Sequence, residues 1–367
     1  MTRFSSKLAG STALCILLTA CASAPPPKQE PLSLNIDPST VAAEYVVLQN
    51  GDKLPKSGNV VITSCNVAFG KKTRASASTQ AGALNRGYTH DGKVRVDTKV
   101  KSELILEGIE DAQLDRIGNS ICTEAKATLV QAGYNVIDAS KDPLFQQLQN
   151  SGKPSPYSWD FNKSDYAVFA PAGYQIWDDR FLNVAGGLKS AFLAAKGTNS
   201  SQLLTGLVNS QQATGVAMHF AVAFASAEGD TGRKSMFATD DTAEIKHDTR
   251  MMVTGDINFI PAAQLKCWER FGKTECMADG ATPRVVSLKP LIAEEQAYVA
   301  IRDVQPTGSK VAEGLANTLN MLSALAGSTG SSTIDIQQQG VEVNPVIYER
   351  TAREYSRRFV QMAMAVR

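Results

Sequence analysis

The chain is poor in the residues on which many enzymes and nucleic-acid binders depend. Its three histidines, His90, His219 and His247, lie in separate segments and form neither an HExxH motif nor a metal-ligand pair. An excess of charge is missing as well. With 37 basic and 36 acidic side chains the formal net charge is +1, which gives no electrostatic footprint for nucleic acid. There is no Walker loop, because "AFGKKT" lacks the earlier glycine and the Gly-Lys-Ser/Thr ending. No GxSxG elbow occurs, and no serine is followed three residues on by lysine. Asp240, Asp241, Glu244 and Asp248 lack calcium-loop spacing. Adjacency alone does not make Asp178 and Asp179 a catalytic pair. No cofactor, metal or catalytic residue is expected, and a non-enzymatic protein follows.

Long apolar runs are also missing. The longest opening stretch, "LAGSTALCILLTA" after Arg3 and Lys7, is shorter than the roughly 20 residues a helix needs to span a bilayer. A basic start, a short apolar core and small residues at the end are the parts of a secretory signal. Leu18-Thr19-Ala20-Cys21 resembles the bacterial lipobox, in which the cysteine is lipidated and the preceding segment removed. That resemblance divides the start into a signal peptide, 1–20, and a lipidated Cys21 opening a proline-rich tether, 21–42. Because Ala22 is not aspartate, it also implies the outer membrane, with the body facing the periplasm.

A secretory route leads to an oxidising compartment, where cysteines pair. Cys15 leaves with the signal and Cys21 takes the lipid, so Cys65, Cys122, Cys267 and Cys276 remain, with three possible pairings. Geometry argues for one. "CWERFGKTEC" centres on Phe271-Gly272, a two-residue hairpin turn. Counting outward puts Cys267 opposite Cys276 on a non-hydrogen-bonded pair, where Cα atoms approach to about 4.5 Å. Cys65 and Cys122 then pair by elimination.

Hydrophobic residues at 43% and charged residues at 20% suit a globular body. "GNVVITSCNVAFG" and "KVRVDTKVKSELILEG" read as strands. From Asp111 the period changes: Leu114, Ile117, Ile121, Ala125 and Leu129 form the stripe of an amphipathic helix, ending at Gly133 before the short strand "YNVID". "VAMHFAVAFASA", from Val216, alternates large apolar with small residues. It is either a core strand with its alanine face under a helix or one wall of a membrane barrel. The covered strand is favoured, with the charge-poor helix from Phe181 as its cover. "DYAVFAPA", "RMMVTGDINFI", "PRVVSLKP" and "AYVAIRDV" are further strands. A leucine-faced helix from Ser309, the flexible break "GSTGSST" and a helix capped by Asn344 with Pro345 in its first turn close the chain. The expected class is α+β with strand–helix–strand units: a mixed sheet covered by amphipathic helices, plus a disulfide-bearing hairpin. The body should run over 43–304 and a helical segment over 305–367.

"VVITSCNVAFG", followed by "LDRIGNSICTEAKATLVQAGYNVIDASKD", resembles the first repeat of a periplasmic fold. That fold is shared by curli-secretion (CsgG-like) lipoproteins, peptidoglycan-synthase activator lipoproteins and TolB N-terminal domains. Val60 to Phe69 and Leu114 to Asp138 carry the pattern, and Val216 and Met252 to Ile257 fall where later strands belong. The insert before Leu114, the cysteine hairpin and the helix from Ser309 depart from it. The resemblance implies an outer-membrane lipoprotein that serves assembly, secretion or scaffolding, as a homo-oligomer or docked on an envelope partner. The alternative is a periplasmic envelope enzyme or a cell-wall-synthase activator. Asn317, Asn320 and Ser323 on one polar helix face, and Gly186-Gly187 on another, lack charge as an interface core does.

Overall fold

Asp37 followed by Pro38 is a strong helix start, since the carboxylate accepts from an orphan N–H and proline needs no partner there. The Asp37 carboxylate does accept from the Ser39 N–H, at 2.8 Å, and opens the first helix, α1 (Pro38–Tyr45). The same pair, Asp142 and Pro143, opens α3 (Pro143–Asn150). Between them α2 (Asp111–Gln131) carries the expected apolar stripe, here buried, and Gly133 takes a left-handed φ of 96° just beyond it. Among the described residues the remaining α-helices are α4 (Ser200–Gln211) and α5 (Pro345–Ala365), the latter capped by Asn344. This computed structural model describes residues 30–78, 97–161, 163–176, 200–229, 245–270, 272–304 and 331–367.

The first strands are β1 (Val46–Gln49), β2 (Gly58–Ser78), β3 (Asp97–Glu107), β4 (Tyr134–Ile137), β5 (Tyr157–Phe161) and β6 (Ser164–Phe169). Next come β7 (Thr214–Ala223), β8 (Ser226–Gly229), β9 (Ile245–Asp248) and β10 (Met252–Pro261). Then follow β11 (Leu265–Arg270), β12 (Lys273–Ala278), β13 (Arg284–Ser287), β14 (Leu291–Ile292), β15 (Tyr298–Asp303) and β16 (Ser331–Val343). Twelve of them form one mixed sheet whose main path runs β1-β13-β10-β7-β2-β3-β16-β15. β2 lies parallel to β4 and β7 in its first half and antiparallel to β3 in its second. The class is α+β with strand–helix–strand units, as the sequence reading expected.

One face of the sheet carries the main core. Val216, Met218, Phe220, Val222 and Phe224, the large residues of the alternating stretch, lie there with the stripes of α2 and α5. β7 is therefore a core strand, with every residue from Thr214 to Phe220 buried. On the opposite face α3 and α4 pack over Val61 and Ala213, and Gly215 lets Val208 and Leu204 of α4 come close to the strand. The helix from Phe181, expected as the cover, lies outside the described residues.

Two boundaries differ from the sequence reading. The tether does not run to residue 42: Leu32 is already in the core, and α1 begins at Pro38 because Asp37 and Pro38 cap it. Nor is 305–367 a separate helical segment. β16 pairs parallel with β3 from Ser331 to Glu342, with one register shift after Ser332, and α5 covers the main core, so both belong to the unit Pro31–Arg367. Ser331 to Thr333, read as the end of a flexible break, are the first residues of β16. A neighbouring strand supplies hydrogen bonds that local composition does not foreshadow. The helix from Ser309 is outside the described residues.

Candidate functional site

Two disulfides fix the body. Cys65 on β2 is bonded to Cys122 on α2, with Cα atoms 6.0 Å apart, and ties the helix to the sheet. Cys267 and Cys276 face each other in the β11–β12 ladder, in the register that pairs Arg270 with Lys273, and are bonded at a Cα separation of 4.1 Å. Gly272 supplies the turn with a φ of 71°. The Thr205 hydroxyl on α4 donates to the Cys276 carbonyl at 2.8 Å, seating the ribbon on the helix. Trp268 and Met277 stay exposed on it.

His219 sits in a polar row. The strand registers set Asn66 of β2 beside His219 of β7, and His219 beside Asp256 of β10. The Asn66 amide donates to the Ser64 hydroxyl at 3.0 Å, and the Arg284 Nε donates to Asp256 at 3.0 Å. Ser64, Asn66 and His219 are all buried. The row has the residue types of proton-transfer chemistry, but Ser64, Asn66 and His219 are closed to solvent, and Asp256 at its partly exposed end is paired with Arg284. His219 is a core residue in this fold.

An open cleft of about 340 Å³ lies elsewhere, between the start of α2 and the Ser155-Pro156 turn. Asp111, Asp115 and Asn119 stand one helical turn apart along its rim, and Phe169 forms part of the wall. Asp111 is engaged by Lys71 at 2.9 Å. Among the described residues no group of His, Cys, Asp and Glu could hold a metal ion.

The second half of β2, with β3, forms a long ribbon over which β8 and β9 lie. Ser102 Oγ and His247 Nε2 are 2.9 Å apart across this contact, above the buried Ala75 and Ala77. Burial pushes the His247 imidazole below its ordinary value, favouring the neutral ring. On β2, Arg74 is held by Asp165 at 2.8 Å and Glu103 at 3.1 Å. Burial raises Glu103, but Gln338, Lys72 and Arg74 outweigh it and the carboxyl sits below its usual range. β15 ends the main path of the sheet and exposes Val299 at 63% and Ile301 at 46%.

Of the residues singled out in the sequence, the structure brings together Cys65 with Cys122 and Cys267 with Cys276. Cys21, Gly186, Gly187, Asn317, Asn320 and Ser323 lie outside the described residues, as does His90. Sequence reasoning missed the β15 edge, since "AYVAIRDV" was read only as a further strand. It also missed the Asp37-Pro38 cap that ends the tether, although that signal stands in the sequence. Comparison of the chain with protein families, with curated proteins and with solved structures gives no match.

Proposed function

We propose that this chain is a non-enzymatic outer-membrane lipoprotein, anchored through Cys21 and facing the periplasm. Its body serves as an assembly, secretion or scaffold component of the bacterial cell envelope, as a homo-oligomer or docked on a larger machine. The observation that carries this reading is the pair of closed disulfides in a chain that carries "LLTAC" at 17–21. Disulfides persist in oxidising compartments and are rare where thiols are kept reduced. The β15 edge supports the docking part, since an edge strand with exposed apolar side chains can take another chain.

The competing reading, an envelope enzyme or synthase activator, has the cleft at Asp111 and Asp115 in its favour. One experiment separates the scaffold reading from the enzyme. The protein is extracted in mild detergent, cross-linked and sized, with Asn320→Arg alongside. The scaffold reading expects an oligomer or a cross-linked envelope partner, and Asn320→Arg that stays folded but loses its oligomer, because a buried cation would lack a counter-charge. A wild-type monomer at all concentrations, with no cross-linked partner, contradicts it.

A further inference from the structure

The chain joins the body through a strap. Leu32 is 2% exposed in the main core, and its N–H donates to the Ile292 carbonyl of β14 at 2.8 Å. The Tyr355 hydroxyl of α5 donates to the Leu32 carbonyl at 2.6 Å and accepts from the Glu294 N–H at 3.0 Å. One turn further along α5, the Arg358 guanidinium donates to the Leu34 carbonyl at 3.1 Å and the Ser33 carbonyl at 3.4 Å. Arg358 is itself buried, so these carbonyls supply part of what water would otherwise provide. Asp37 then caps α1, which packs along α5. Residues 32–45 are held from end to end.

We propose that this strap is a mechanical fixed point that keeps the body close to the bilayer. The inference rests on lipidation at Cys21. Covalent geometry allows at most about 3.5 Å per residue, so Cys21 to Leu32 spans no more than roughly 40 Å. A chain free as far as residue 42 would reach roughly 75 Å. The strap therefore about halves the reach of the body, whatever conformation the intervening residues adopt.

The test uses full-length protein purified from membranes and reconstituted in vesicles of phosphatidylethanolamine and phosphatidylglycerol with an acceptor dye on the headgroups. A fluorescent residue replaces exposed Leu288, whose N–H donates to the Tyr45 carbonyl at the end of α1. Two changes are compared with wild type. Tyr355→Phe combined with Arg358→Gln releases the strap, and a Gly-Ser insert of about ten residues between Glu30 and Pro31 lengthens the leash while leaving the strap intact. Energy transfer should fall about twofold or more in both, since transfer is steep over the added reach. Protease should cut within 31–42 only in the released variant. Unchanged transfer with the insert overturns the proposal even if the released variant misfolds. The mass of the Cys21 peptide is read in the same samples. An unmodified Cys21 refutes the anchor, and cleavage of 31–42 in wild type refutes the strap independently.

Discussion

The Phe359 ring of α5 lies over Gly255 of β10, in the space that a Cβ on that glycine would occupy, and meets Phe220 of β7 edge-on at 6.0 Å. The helix thus reaches the sheet through a missing side chain. Phe359 is fully buried and has nowhere to retreat.

Gly255→Ala should therefore destabilise the fold by about 1–3 kcal/mol through overpacking. Gly118 on α2 offers the contrast, because its nearest neighbours would stand at 3.5–3.7 Å from an added Cβ, an ordinary contact. Gly118→Ala should be neutral or stabilise by up to about 1 kcal/mol, as alanine does inside a helix. Urea denaturation of the two variants checks both signs. Equal destabilisation would contradict the packing described.

The disulfides should differ in weight. Cys65–Cys122 closes a loop of 57 residues and Cys267–Cys276 one of 9. On the chain-entropy account the first contributes about 4 kcal/mol and the second about 3. Paired Cys→Ala variants, compared by denaturation, should follow that order. Peptide mapping without reductant should recover both linked pairs, and free thiols at these positions would oppose the structure.

Acid should weaken the contact between β9 and β3. His247 is held below its ordinary value near 6.5, so the unfolded chain takes up a proton before the folded one does. The stability this group contributes is thus complete above that pH and is lost as pH falls below it. The protection of the Ser102 and His247 amides against hydrogen exchange, taken relative to the intrinsic rate at each pH, should fall on acidification. His247→Gln, which cannot titrate, should flatten that dependence. A variant with the wild-type acid response would show that another group governs it.

Much of the fold was legible where a pattern is local. The stripe of α2 with Gly133, the Asn344 cap of α5 and the Cys267–Cys276 register all follow from spacing within one element or one hairpin. What sequence did not reveal depends on neighbours distant along the chain. β16, with its run of three glutamines, is a strand because β3 lies alongside it. The large face of β7 is covered by α5, some 140 residues later, through a glycine whose role is invisible without its partner ring. The strap is part of the same lesson. Leu32 looks like tether among prolines, and only the hydroxyl of Tyr355 and the guanidinium of Arg358 make it structure.

The most direct test of the central claim is the amino-terminal peptide of the mature protein, isolated from outer membrane and measured by mass spectrometry. The account predicts that it begins at Cys21 and carries a lipid. Cys21→Ala should then leave the outer membrane on fractionation. An amino terminus elsewhere, or an unmodified Cys21 in protein that still sediments with the membrane, would contradict it.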